Sequence, residues 1–223
     1  MKSKFWIVKM PKYSIIIFCI LNIIASLLYP GGTLNDPEQT SYLFTRNFLS
    51  DLGTTISYSG AKNTISCILF NTSIFISGFT FIMLFYKVKD LFHFKLLSNI
   101  ATLFGILGGV CFIGVACTPA DILLDPHIFF AHGIFRCLFI SIFFHSILIF
   151  KTKGFDNKYG YGFVLFGIMV LIYIFISEVG PDPRTHPTAL TLQVISQKTI
   201  AIWLLFSIYI YSIGLGKYIY RRV

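Results

Sequence analysis

The sequence predicts an all-α, polytopic membrane protein, a six-transmembrane-helix bundle with a short interfacial helix in the first outer loop. Composition gives the first two reasons. Hydrophobic residues form 56% of the 223-residue chain and charged residues only 12%, about half of the charged fraction of a soluble domain. The mean hydropathy is +0.78. The third reason is that most charges lie between long apolar runs. We therefore expect a single membrane domain over residues 1–223.

Six apolar runs are each long enough to cross a hydrocarbon core of ~30 Å. The predicted spans are residues 13–30, 63–86, 96–118, 126–150, 159–178 and 193–216. A basic segment precedes the first run, as in a signal peptide, but no small-x-small cleavage site comes before Pro30. The first run is therefore predicted to remain as a span.

The first connector, residues 31–62, is long and polar, yet its centre has a helical pattern. Its apolar residues recur at helical spacing and are Leu43 or Phe44, Phe48 and Leu52. The opposite face would carry Asn47, Ser50 and Asp51. This pattern predicts a short helix lying in the membrane interface. Gly53 is expected to end that helix in the C′ position.

The distribution of charge predicts the orientation. Thirteen of the 18 Lys and Arg residues lie on the side that holds both termini, and most acidic residues lie on the other. The positive-inside rule then places the N- and C-termini in the cytoplasm and the chain in the cell membrane as a multi-pass protein. The net charge of +9 is accounted for by these span-flanking cations, so we expect no nucleic-acid partner.

A polar cluster is predicted on the outer side, around the start of the fourth span. Arg136 lies fifteen residues before Lys151, which puts it ~8 Å below the outer boundary. An arginine at that depth is expected to be paired or functional. Its candidate partners are Glu178, Asp121 and Asp51. Lys198 falls near the outer boundary by the same count.

Two interpretations of this cluster stay open. One is a buried structural ion pair. The other is a cationic pocket for the anionic headgroup of a membrane lipid, with Arg136 and Lys198 as anion contacts and Arg46 or Arg184 above them. The candidate ligand-binding residues of this pocket are Ser50, Asp51, Asp121, His132, Arg136, Glu178 and Lys198.

An enzyme is the alternative. A metal- or Asp/His-dependent intramembrane lipid hydrolase or transferase would use His132 as general base or ligand and Asp121 to orient it, with Asp51 as a further candidate. Zinc ligands would come from His127, His132 and His186. No HExxH or other fixed metal spacing is present, and we expect no cofactor.

Helix geometry constrains the two histidines of the fourth span. His127 and His132 are about 140° apart around a helix, so they would not face one pocket from a regular helix. The pair Asp125-Pro126 has the pattern of a helix start, with Asp125 as N-cap and Pro126 in the first helical position. A small transporter is a third possibility, which the sequence disfavours because intramembrane charge is confined to the outer third.

Short motifs add a resemblance. They are Asn47-Phe48-Leu49-Ser50-Asp51-Leu52-Gly53, then Asn71 and Phe75 in the second span, Pro119-x-Asp121, His127 and Ala131-His132. With these motifs the chain resembles the DUF998 family, uncharacterised six-span membrane proteins of archaea and bacteria. It is more distantly similar to the Frag1/DRAM/Sfk1 group, whose members are tied to GPI-lipid remodelling, membrane lipid organisation and autophagy. The resemblance implies a shared outer-side site with Ser50, Asp51, Asp121 and His132, and it implies no particular reaction.

Overall fold

The chain folds into six long helices, as predicted. The computed structural model describes residues 4–221, without the side chain of Pro187; Lys2 and Arg222, which were counted for the orientation, lie outside the described residues. The helices are α1 Met10–Leu27, α2 Thr64–Val88, α3 Lys95–Cys117, α4 Leu124–Lys151, α5 Lys158–Val179 and α6 Pro187–Tyr220. Six helical segments are long and apolar enough to cross a membrane. The chain therefore has the architecture of a multi-pass membrane protein.

Three short helical turns accompany the long helices. A π-helical turn, Phe5–Lys9, leads directly into α1, and a 3₁₀ turn, Leu49–Gly53, lies in the first connector. A second 3₁₀ turn, Lys89–Leu91, follows α2. Within residues 4–221 the only bridges of β type are two isolated ones. The fold class predicted from composition is confirmed.

Consecutive helices pack against each other, and α1 also contacts α6, so the bundle closes on itself. The helices α2 and α3 approach closely where two glycines meet. A Cβ atom on Gly78 would lie 2.6 Å from the carbonyl oxygen of Gly109, and one on Gly109 would lie 2.7 Å from the carbonyl oxygen of Gly78. Backbone therefore packs on backbone here, as small residues permit in membrane helices.

The bundle has two distinct ends. The loop end carries residues 28–63, 118–123 and 180–186, and the terminal end carries both chain termini. At the loop end α4 begins at Leu124, two residues before the predicted start. Asp125 is therefore not the N-cap but an exposed residue of the first turn, without a capping hydrogen bond. Pro126 is tolerated there because first-turn N–H groups have no partner in the helix.

The first connector does not form the predicted surface helix. Only Leu49–Gly53 is helical, and its polar side faces inward, with Asp51 5% exposed and Asn47 fully buried. Phe44, expected on the buried side, is 58% exposed. Gly53 is the last residue of the turn and lacks the positive φ of a C′ glycine. Its small size is needed instead, because a Cβ atom would lie 2.5 Å from the ring of Phe70.

Candidate functional site

Residues 47–54, which we call the plug, enter the loop end of the bundle around the 3₁₀ turn Leu49–Gly53 and are held by Asn63 and by side chains of α2. The Asn63 amide donates to the carbonyls of Leu52 and Thr54 at 3.1 and 2.9 Å, and Ser66 donates to Leu52 at 3.0 Å. The Gly53 carbonyl accepts from Asn71 at 3.2 Å and from Cys67 at 3.2 Å. These contacts satisfy the backbone carbonyls of the plug, as buried polar backbone groups require.

Lys198 of α6 holds the other side of the plug. Its ammonium donates to the carbonyls of Phe44, at 2.5 Å, and Asn47. It also lies 5.0 Å from the ring centroid of Tyr42 and 4.6 Å from that of Phe44. Lys198 is only 4% exposed. Two of its three donors are therefore used inside the protein, and the structure gives it a bracing role rather than the open anion contact that was predicted.

Asp51 occupies the centre of the plug. Its Oδ2 atom accepts from the Asn47 amide at 3.1 Å and from the Phe48 N–H at 2.9 Å. Burial raises the pKa of this carboxyl to about 7, against the opposing effects of the two hydrogen bonds and of the attraction to Lys198. A carboxyl in these surroundings gains or loses its proton near neutral pH, whereas most aspartates are fully ionised at that pH.

Asp121 fastens the connector between α3 and α4 to the first connector. Its carboxylate accepts from the Thr55 N–H at 3.0 Å, from the Thr55 hydroxyl at 2.5 Å and from the Ile56 N–H at 3.0 Å. Partial desolvation raises its pKa, but these hydrogen bonds outweigh it, so the pKa lies below the ordinary value. Asp121 is thus a loop clamp and stands apart from Asp51.

Arg136 forms an ion pair with Glu178, the first of its predicted partners. The two side chains are 56% and 43% exposed, so the pair lies on the outer surface between α4 and α5. His132 is their electrostatic neighbour. Arg136 is two residues from Ile134, about 200° around the helix, and therefore faces away from the bundle interior that Ile134 lines.

The three histidines proposed as zinc ligands do not converge. His127 is buried and its Nδ1 atom lies 2.7 Å from the carbonyl oxygen of Thr118. His186 is exposed at the loop end and lies 2.8 Å from the Thr185 hydroxyl. Across residues 4–221, no group of three or more His, Cys, Asp or Glu side chains could hold a metal ion. Nor does His132 contact Asp121, whose partners are described above.

An apolar cavity of about 710 Å³ lies beneath the plug. Its floor and walls come from α1, α2, α3, α4 and α6, and its roof is formed by Leu49 and Ser50. The aromatic wall consists of Phe18, Phe70, Phe81, Phe112 and Phe135. Along α2 the cavity runs from Phe70 to Phe81, a distance of ~16 Å at 1.5 Å per residue.

A few polar groups face this apolar space, namely Ser50, Ser77, His127 and Gln197. Gln197 accepts the Leu49 N–H at 3.0 Å and therefore also links α6 to the roof. His127 uses Nδ1 toward a carbonyl oxygen, so Nδ1 carries the proton and Nε2 is the acceptor in a neutral ring. No Lys, Arg, Asp or Glu is among the described residues that line the cavity.

Of the predicted site residues, only Ser50 lines the cavity, together with His127 from the metal alternative. The sequence analysis missed Gln197, and although it named Asn71 it missed the polar residues Asn63, Ser66 and Cys67 at the start of α2. A signal for the latter was present, since Asn63, Ser66, Cys67 and Asn71 fall at i, i+3, i+4 and i+8. That spacing marks one face of a helix, and a polar stripe within a span indicates a polar partner that must be satisfied.

Comparisons with known proteins give no match: no family model, no curated protein and no solved structure is similar to this chain.

Proposed function

We propose that this protein binds a membrane lipid, with a hydrocarbon chain of the lipid in the cavity beneath the plug. The observation that carries the proposal is the apolar cavity beneath the plug, which is lined by five phenylalanines and lies in the half of the bundle nearest the loop end. We further propose that both termini are cytoplasmic, on the basis of the positive-inside rule. The cavity would then open toward lipids of the outer leaflet.

The position of the cavity argues for a lipid chain as its occupant. It lies at the depth of the hydrocarbon core, where lipid chains are the most abundant apolar groups, and its ~16 Å length suits an extended chain. Moving such a chain from the bilayer into an apolar cavity changes its surroundings little, since lipid tails are as apolar as core side chains. Selectivity must therefore come from the polar groups around the chain's end.

Those polar groups favour an uncharged part of the lipid. Ser50 offers a hydroxyl, Gln197 an amide and His127 a ring acceptor, which together match a hydroxyl or ester group. No charged side chain of the described residues lines the cavity. We therefore propose binding of a lipid through its chain and the adjoining ester or hydroxyl group, in place of the anionic headgroup suggested by the sequence.

Arg136 distinguishes the two versions of the proposal. In the headgroup version Arg136 is the principal anion contact, whereas in the cavity version it faces the opposite side of α4. The hydrolase alternative has less support because Asp121 and His132 have separate partners. Membership of the DUF998 family stays a prediction and does not name a ligand.

Native mass spectrometry of the full chain, purified in mild detergent, tests the proposal by recording bound lipid. Ala201→Phe places a ring in the cavity, and the matched control Ile202→Phe adds a ring to the adjacent lipid-facing residue, which is 60% exposed. We expect Ala201→Phe to lose the co-purified lipid and Ile202→Phe to retain it. Arg136→Leu should retain it as well. The thermal unfolding midpoint of each variant shows whether it is folded.

Two results would contradict the cavity proposal. One is a folded Ala201→Phe protein that keeps its bound lipid in full. The other is loss of lipid from a folded Arg136→Leu protein while Ala201→Phe keeps it, which would transfer the site to the surface between α4 and α5.

A further inference from the structure

A second, smaller cavity lies at the terminal end, far from the plug. It lies between residues 4–9 and the end of α6 and is lined by Lys4, Val8, Lys9, Gly216, Ile219 and Tyr220. A Cβ atom on Gly216 would lie 3.4 Å from the Val8 side chain, an ordinary van der Waals contact, so a larger residue can enter the cavity at this position. The cavity therefore combines two lysines with an apolar base.

The π-helical turn explains why both lysines line one cavity. Lys4 and Lys9 are five residues apart and would point 140° away from each other on an α-helix. In the turn Phe5–Lys9, the N–H of Met10 bonds to the carbonyl of Phe5, a span of five residues. This wider winding brings residues five apart toward the same face. Such turns are rare and occur frequently at functional sites.

Neither lysine is neutralised by an acidic side chain. In the described part of the chain, the ion pairs are Arg136–Glu178 at the loop end and Lys158–Asp156 in another connector. The ammonium of Lys4 lies 4.4 Å from the ring centroid of Tyr220, and Lys9 is exposed. Among residues 4–221, the cavity thus presents two positive charges and an aromatic face with no acidic side chain paired to either lysine.

Aromatic residues surround this cavity, as is common at headgroup level. Trp6, between the two lysines, packs edge-on against Phe79, with ring centroids 5.7 Å apart. Tyr220 is 70% exposed at the end of α6. Trp and Tyr are enriched where membrane proteins cross from hydrocarbon to headgroups. A lipid phosphate is the negative group most abundant at that level.

We propose that this cavity binds the phosphate of an anionic phospholipid in the leaflet at the terminal end. Lys4 and Lys9 contact the phosphate, while Val8 and Ile219 pack against the first methylenes of the lipid. An ammonium is a compact donor that serves well as a phosphate contact. The site is independent of the proposed lipid-chain cavity, because it lies at the opposite end of the bundle and shares no lining residue with it.

The test is a titration of the full chain in detergent with dimyristoyl phosphatidylglycerol, followed by native mass spectrometry. The double variant Lys4→Gln/Lys9→Gln should bind this lipid about 30-fold more weakly, from roughly 1 kcal/mol per lysine. The matched control Lys87→Gln/Lys95→Gln loses the same charge at the same end, and Lys87 likewise lies beside a tyrosine ring, at 4.8 Å. It should change the affinity less than about twofold.

Further measurements identify the ligand and show whether each variant is folded. Gly216→Val fills the cavity without changing charge and should also weaken binding, with an unchanged thermal midpoint. Dimyristoyl phosphatidylcholine should bind at least about tenfold more weakly than phosphatidylglycerol. Equal loss in the two double variants would overturn the proposal in favour of general attraction to basic residues. Displacement of the lipid by millimolar inorganic phosphate would overturn it in favour of a free anion.

Discussion

The buried carboxyl of Asp51 makes the stability of this protein depend on pH in an unusual direction. Its pKa is raised to about 7 in the folded protein by burial, whereas an unfolded aspartate has a pKa near 3.8. Between these values the folded state holds a proton that the unfolded state has released. The free energy of unfolding therefore falls as pH rises, by up to ~1.4 kcal/mol per pH unit. From pH 5 to pH 7 the loss is about 2 kcal/mol.

The groups around Asp51 do not cancel this effect. It faces Lys198 from α6 and three tyrosines from the first connector, Tyr29, Tyr42 and Tyr58. Burial raises the pKa of each tyrosine above its ordinary value, so all three stay neutral in this pH range. The attraction to Lys198 opposes the effect of burial without overcoming it.

Asp51→Asn is the decisive variant. Both hydrogen bonds to this side chain reach the same oxygen, Oδ2, so an amide oxygen in that position can accept both. The free energy of unfolding of the natural chain should fall by about 2 kcal/mol from pH 5 to pH 7. We expect this fall to be absent from the variant. Above pH 7 it should be at least as stable as the natural chain.

The assay is unfolding of the detergent-solubilised protein, by heat or by a denaturing detergent, at pH 5, 6, 7 and 8. Histidines titrate in the same range, but they are common to both chains, so the difference between the curves isolates position 51. Asp125→Asn is the matched control, because Asp125 is exposed and makes no capping hydrogen bond. Parallel curves for the natural chain and Asp51→Asn would refute the reasoning.

Three further outcomes test the loop end. Gly53→Ala should lower the free energy of unfolding by roughly 1–3 kcal/mol, because its methyl group would overlap the Phe70 ring. The comparison in thermal unfolding is Gly60→Ala, since nothing lies within 4 Å of a Cβ atom there. The positive φ of Gly60 adds some strain to that control. Lys198→Met should cost about 2–4 kcal/mol by leaving buried carbonyls without donors, and an unchanged midpoint would contradict the bracing role. Asp121→Asn should speed amide hydrogen exchange at Thr55 near neutral pH. Because the pKa of Asp121 lies below its ordinary value of 3.8, the natural chain should lose this protection only when the pH falls below that ordinary value.

The ion pair of Arg136 and Glu178 shows what can be predicted by counting residues from the ends of the predicted spans. Arg136 was placed near the outer boundary by counting residues from Lys151, and Glu178 was named as a partner because it ends the neighbouring span. The structure joins the two. The prediction succeeded because a charge at that depth needs a partner, and an adjacent helix end offers few candidates.

The plug shows where such reasoning stops. The helical pattern of residues 43–52 was interpreted as an amphipathic surface helix, with its polar side toward water. In the structure the polar side turns inward, where the Asn47 amide donates to the Gly32 carbonyl and to Asp51. The backbone carbonyls of the plug accept hydrogen bonds from Asn63, Asn71 and Lys198. Those donors are remote in sequence, so no local periodicity reveals that the polar face has buried partners.

The sequence by itself determined the all-α class and the six membrane-crossing helices, since the length and apolarity of each run are local properties. Only the tertiary structure decided which polar residues meet and where open space remains. The predicted site residues separate into a plug, a clamp and a surface ion pair, because helix packing fixes the direction in which each helix face points. The cavity exists because the packed helices beneath the plug fail to fill the space between them, and that mismatch of volumes is a property of the assembled bundle alone.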